Sequence, residues 1–105
     1  MNKLLSALSL ARKAGRLEIG FDPVQEAVKL KKALLVVIAR DASQRTARET
    51  ERICRENGTE ILLADVTKDD TFRVLGKTVA VIAVCDGGFA DMIKGITSTT
   101  IGEDK

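Results

Sequence analysis

Apolar residues recur along this chain with two alternating periods, one helical and one of strand length, and the switches between them lay out the elements. Leu4, Leu5, Leu8 and Ala11 fall at helical spacing, with Lys3, Ser6 and Lys13 on the other faces and Gly15 as a stop, which predicts an amphipathic first helix. Arg16 to Ile19 reads as a short strand. From Asp22 to about Lys32 a second helix is expected, burying Val24, Ala27 and Val28 and turning Gln25, Lys29 and Lys32 to solvent. Leu34 to Ala39 is an unbroken apolar run rich in β-branched residues. Such a run is a strand covered on both faces, hence the centre of a sheet.

Arg40 to Ser43 then turns the chain, with Asp41 or Ser43 as cap, into a helix running to about Glu56. Thr46, Ala47, Thr50, Ile53 and Cys54 form its buried stripe, and Arg45 with Glu49 and Glu51 with Arg55 are spaced for surface ion pairs. Asn57-Gly58 ends it, and Glu60 to Ala64 is a third strand. Thr67 opens a short helix with Asp69 and Asp70 in its first turn, apolar content from Phe72, Val74 and Leu75, and a stop at Gly76. Val79 to Val84 is a fourth strand, and Asp86-Gly87-Gly88 opens a last helix with Phe89, Ile93 and Ile96 on one face. The remainder is polar and without period, so the chain divides into one domain over 1–97 and a flexible tail over 98–105. Helices alternating with buried strands give an α/β fold, a three-layer α/β/α sandwich in which a four-stranded mixed sheet carries helices on both faces.

Composition narrows the chemistry more than the fold. The chain has 105 residues, 45% hydrophobic and 30% charged, a soluble globular mixture of one-domain size. Its first apolar residues are interrupted by Ser6, Ser9, Arg12 and Lys13, so they form neither a signal core nor a membrane span, and a cytoplasmic protein is expected. Cys54 and Cys85 lack redox or zinc spacing and read as buried thiols. Histidine, tyrosine and tryptophan are absent. Without histidine, Ser-His and Cys-His catalysis and most transition-metal sites drop out, so we expect no enzyme, no metal and no cofactor. Charge is unevenly spread: residues 1–55 hold 12 lysines and arginines against 6 acidic residues, and residues 56–105 hold 5 against 9. A basic half favours an anionic partner such as nucleic acid.

The candidate site is Ile19 to Val28, a sharp loop feeding a helix. Gly20 allows a left-handed backbone, Asp22 is placed to accept helix-start amides, and Pro23 suits the first helical position. The outward amides of such a corner hold a phosphate or a base edge; Asp22 with Gln25 also fits a plain capping arrangement. Arg12, Lys13 and Arg16, read as close to this corner, and Lys29, Lys31 and Lys32 extend it as phosphate contacts or serve as helix-end and solvated cations. Gly76-Lys77-Thr78 ends like a phosphate-binding loop, but Thr71 stands where the first glycine belongs and the tripeptide leads into a strand, which rejects a nucleotide triphosphatase. Asp86-Gly87-Gly88 reads as a cap and turn or as an anion site. Asp41, Asp65 and Asp86 all follow strands, which leaves a phosphoryl-transfer pocket as the enzymatic alternative.

Leu8-Ser-Leu-Ala-Arg-Lys-Ala-Gly15, Lys32-Ala-Leu-Leu-Val-Val-Ile-Ala39 with Asp41-Ala-Ser43, Leu75-Gly76-Lys77, and Val81-Ile-Ala-Val-Cys-Asp86 with Gly88-Phe-Ala90 together carry a resemblance. Over residues 4–96 the chain resembles the bacterial YlxQ-type proteins of the ribosomal-protein superfamily that binds kink-turn RNA. The resemblance implies a four-stranded sheet between helices and a non-enzymatic, cytoplasmic, ribonucleoprotein-type role. The implied partner is structured RNA, a kink-turn or ribosomal RNA, with the ribosome behind it, and neither a membrane nor a small-molecule substrate. In RNA-binding relatives a Gly-x-Asn-Glu segment reads the sheared G·A pairs and a lysine one turn later meets the backbone. Here the glycine falls on Gly20, while the following positions hold Asp22, Pro23 and Glu26. An aspartate lacks an amide donor, proline has no polar side chain, and Glu26 replaces a positive charge with a negative one. The loop that packs extruded nucleotides in relatives implies Gly76, Lys77, Thr78 and Val79. The expected RNA face is thus Gly20, Phe21, Asp22, Pro23, Glu26, Lys29, Lys32 and residues 76–79. The alternative is a protein-interaction scaffold of the same fold that has lost kink-turn recognition.

Overall fold

The sheet order is β1-β4-β2-β3, built from β1 (Leu17–Ile19), β2 (Leu35–Ala39), β3 (Glu60–Ala64) and β4 (Val81–Val84). The computed structural model describes the backbone of residues 2–103 and the side chains of residues 2–96. β2 and β3 run parallel, and β4 lies antiparallel to both β1 and β2, which makes the sheet mixed. Every residue of β2 and β4 is buried, as their unbroken apolar runs predict.

Strand alternation sends side chains to two cores. Leu35, Val37, Ala39, Ile82 and Val84 meet α1 (Lys3–Lys13), α4 (Lys68–Leu75) and α5 (Gly87–Glu103) on one face. Val36, Ile38, Val81 and Ala83 meet α2 (Phe21–Lys29) and α3 (Gln44–Asn57) on the other. The result is the three-layer α/β/α sandwich the periodicity predicts. Among the described residues no helix is long and apolar enough to cross a membrane.

Several boundaries differ from expectation, each for a local reason. α2 starts one residue before Asp22, and Gly20 is its cap without any side-chain hydrogen bond, so Asp22 does not cap. It ends at Lys29, because Leu30 caps it, Lys31 turns left-handed at φ 62°, and the Lys32 N–H returns to the Ala27 carbonyl at 2.9 Å. Lys32 therefore stands beyond the helix, and Gln25 is half-buried. β4 starts at Val81, since Ala80 turns its carbonyl to the Ala39 N–H and Val79 bonds to α4. In α4 the buried residues are Thr71 and Leu75, and Phe72 is 55% exposed. On α3 the ion pairs are Arg52 with Glu49 and with Glu56, in place of the expected Arg45–Glu49 and Glu51–Arg55 pairs. Cys54 is buried and Cys85 only half so. The backbone of α5 stays helical through Glu103, past the expected start of an unstructured tail, and residues 104–105 lie outside the described residues.

Candidate functional site

Gly20 leaves β1 with φ 96° and ψ 158°, a conformation a side chain would strain. Its N–H donates to the Val81 carbonyl at 3.1 Å, and its carbonyl accepts from the Val24 N–H at 3.1 Å. That second bond is the first of α2, so the N–H groups of Phe21 and Asp22 are the orphan donors of the helix start, Pro23 having none. A phosphate or carbonyl oxygen is the partner such amides accept.

The same corner touches a second segment. A Cβ built on Gly20 would lie 3.8 Å from Pro23 Cδ and 4.0 Å from Val79 Cγ1, ordinary contact distances. Val79 closes the loop that follows α4, where Gly76 is left-handed at φ 81° and Gly76, Lys77 and Thr78 are exposed. The loop is pinned from inside by Thr71, whose side chain is fully buried. Its hydroxyl oxygen accepts from the Val79 N–H at 3.1 Å, and its single proton is shared between the Val79 carbonyl at 2.9 Å and the Lys68 carbonyl at 2.7 Å. A third segment joins them: Arg40 N–H donates to the Val66 carbonyl at 2.9 Å and Lys68 N–H to Asp41 Oδ1 at 2.9 Å, which fixes the β2–α3 turn against the start of α4.

Phe21 is half-buried between α2 and α3, where it covers a crevice lined by Val24, Thr50, Ile53 and Cys54. Outside it lies an open hollow shared with Arg45, Thr46 and Glu49. Asp22 and Glu26 are exposed one turn apart on the same helix, so this stretch of α2 presents carboxylates where an anionic ligand would want cations.

The structure thus brings together Gly20, Phe21, Asp22, Pro23 and Gly76 to Val79. It does not bring in all the lysines. Lys29 lies in the last turn of α2, beside a shallow hollow with Asp22, Glu26 and Leu30. Lys32 lies at the opposite end of the sheet, near enough to Cys85 to act on its charge. Arg12, Lys13 and Arg16 stand at that opposite end too, since Arg16 precedes β1 and Gly20 follows it. The expected closeness of these three to the corner is therefore a correction, and its reason is strand direction.

The acidic-pocket alternative also fails on geometry. Asp41 and Asp65 follow the parallel strands β2 and β3 at one end, whereas Asp86 follows the antiparallel β4 at the other. Each carboxylate is already used: Asp41 accepts from Lys68, Asp65 pairs with Arg40 at 3.1 Å, and Asp86 accepts from the Phe89 N–H at 2.9 Å as a helix cap. Asp86-Gly87-Gly88 is therefore a cap and turn. Burial pushes the Cys54 thiol up to about 11, and burial with the Glu18 charge raises Cys85 against the pull of Lys32. Neither is an activated nucleophile. Among the described residues no three His, Cys, Asp or Glu side chains cluster as metal ligands. Thr71 is the site residue that sequence reasoning missed; a lone threonine in a helical pattern gives no sign that its hydroxyl holds a loop eight residues on.

The family model for ribosomal protein L7Ae/L30e/S12e/Gadd45 matches residues 2–93. The chain belongs to this family. Solved structures that share its fold include the following two. A protein of unknown function from Bacillus halodurans C superposes with a TM-score of 0.79 at 29% identity, covering 90% of this chain and 99% of that one. A Giardia lamblia 15.5kD RNA binding protein superposes at 0.75 with 18% identity, covering 91% of this L7Ae/L30e/S12e/Gadd45 family chain and 82% of its own. No curated protein matches in sequence.

Proposed function

We propose that this member of the L7Ae/L30e/S12e/Gadd45 family is a non-enzymatic, cytoplasmic RNA-binding protein that associates with ribosomal or other kink-turn RNA. The observation that carries the reading is the closeness of Gly20 to Val79, where a Cβ added to Gly20 would lie 4.0 Å from Val79 Cγ1, which sets an uncapped helix start beside an exposed glycine-lysine loop. The family is one of ribosomal proteins, and the Giardia protein of the same fold is described as RNA-binding. Recognition falls to main-chain amides of Phe21 and Asp22 and to Lys77, because Asp22 and Glu26 repel phosphates. The exposed carboxylates and Leu30 supply the competing reading, a scaffold whose α2 face takes a basic protein segment.

The test is binding to a kink-turn RNA beside the same stem with its G·A pairs replaced, over a salt series. The proposal expects the intact kink to bind more tightly, Gly20→Ala to remove that preference in a protein still folded by circular dichroism, and Lys77→Gln to lower the salt slope by about 1. Equal binding to both RNAs overturns kink recognition. No binding to either overturns the RNA reading and leaves the scaffold.

A further inference from the structure

We infer that the end of the sheet opposite Gly20 is a second RNA-contacting surface, where Arg12, Lys13, Arg16, Lys31 and Lys32 hold the phosphate backbone of a further RNA segment. The inference rests on the RNA reading above and adds a second contact to it.

Three segments converge on this end. α1 ends with Arg12 and Lys13, α2 ends before Lys31 and Lys32, and Arg16 leads into β1. Arg16 carbonyl accepts from the Cys85 N–H at 2.9 Å, and Leu34 N–H donates to the Val84 carbonyl at 2.9 Å. The two chains therefore flank the end of β4, two strand spacings or about 10 Å apart. All five cationic residues are exposed.

What marks this surface is the gathering of five exposed cations from three segments at one end of the sheet. Elsewhere among the described residues, Arg40, Arg52, Arg73 and Lys94 each meet a carboxylate, while Lys29, Lys77 and the α3 residues Arg45, Arg48 and Arg55 do not, although Glu49, Glu51 and Glu56 lie on α3 with them. Among the described residues the ion pairs include none of the five cations here. Two carboxylates border this end of the sheet: Glu18, whose charge is felt at Cys85 as that of Lys32 is, and Asp86, which is spent on the Phe89 N–H. Helix dipoles account for cations in the last turns, hence for Arg12 and Lys13. They do not account for Arg16 and Lys32, which lie past the helix ends.

Lys31 has φ 62° and is the non-glycine residue with positive φ among those described. Its Nζ donates to the Asn57 carbonyl at 2.7 Å, and since Asn57 ends α3 the dipole of that helix favours the charge there; two of the three ammonium protons remain for a phosphate. The partner is a phosphate backbone and not an anionic membrane: the apolar faces of α1 and α2 are spent in the two cores, and the exposed Leu10, Leu30 and Leu34 are single side chains on α1 and on the α2–β2 connection, not the face of an amphipathic helix.

The test uses the full chain and a short kink-turn RNA, with salt slope and stoichiometry as readouts. The triple variant R16Q/K31Q/K32Q should keep the preference for intact G·A pairs yet lose about 2 to 3 from the salt slope. It should also lose a second, weaker equivalent of RNA that the wild type takes up at low salt. Lys31→Gly should lower the slope by about 1 while raising the thermal midpoint, a combination that a purely structural lysine would not give. An unchanged slope and stoichiometry overturns this surface while leaving the first site standing. So does an equal loss from K3Q/R45Q/R48Q, which would mean that net charge alone matters, and so does binding of the triple-sensitive face to phosphatidylserine vesicles in preference to RNA. A wild type that binds no RNA overturns both readings.

Discussion

The two ends of the sheet are built from similar material in opposite ways. At one end Thr71 holds Val79 by hydrogen bonds while the Gly20 N–H is bonded to the Val81 carbonyl two residues on, and the surface this end offers is main-chain amides with the lysine of the Gly76–Val79 loop. At the other end five cations project without carboxylate partners among the described residues, and one of them is itself strained. The first end gains shape from internal structure, and shape is what distinguishes one RNA fold from another. The second gains only charge, which gives affinity without sequence. Damage should therefore cost stability at the first end and salt-dependent affinity at the second.

The largest effect should come from Thr71→Val. It keeps the volume of the buried side chain but strands the Val79 N–H and carbonyl, and each buried orphan costs about 1–3 kcal/mol. A loss of about 2–4 kcal/mol in urea unfolding is expected, with Thr71→Ser recovering most of it. A loss below about 0.5 kcal/mol would mean that the loop is not pinned from inside, and the contrast between the ends would collapse. Gly20→Ala should follow at about 1–2 kcal/mol, the strain of a side chain at φ 96°, because the space around the new methyl is open enough to admit it. Lys31→Gly reverses the sign. Relief of the left-handed strain is partly offset by glycine's extra unfolded freedom, so a gain of about 0.5 kcal/mol is expected. A clear loss would show that the Asn57 contact, and not RNA, explains the lysine.

How much of this contrast was legible beforehand depends on whether the cause was local. Glu60–Ala64 is the strand the sequence pattern marks, and Leu34–Ala39 differs only by Leu34, because a run of apolar residues reports its own burial. Ser43, Thr67 and Gly76 were legible for the same reason, each acting within four residues of itself. The start of α2 was misread, since Asp22-Pro23 looks like a cap while the actual cap is a glycine whose φ no sequence displays. Phe72 and Thr71 exchanged roles because burial of a threonine depends on finding partners, here eight residues away. Which residues share an end of the molecule was beyond local reading: it follows from the order β1-β4-β2-β3, which places Gly20 against Val79 and turns Lys32 away.

The smallest effect tests whether the locked end is also the acid-sensitive one. Asp70 closes a capping box with Thr67 just before the buried Thr71, and its carboxylate accepts the Thr67 N–H at 3.0 Å. That hydrogen bond above all holds its carboxyl below the usual range, with Arg73 and Arg40 adding to it and burial opposing. A folded-state value below the unfolded one means stability that is present in full above the ordinary aspartate range near 3.9 and is lost as pH falls through the lowered folded value. Asp70→Asn keeps an acceptor for the Thr67 N–H but has no proton to take up. Its unfolding midpoint should therefore fall less steeply than that of the wild type below about pH 4, while the two run parallel above pH 5. Parallel curves throughout would place the acid sensitivity elsewhere, with Glu49 next in line because the Arg52 hydrogen bond lowers it too. That result would move the fragile point from the start of α4 to the exposed face of α3, away from the end that holds Gly20 and Val79.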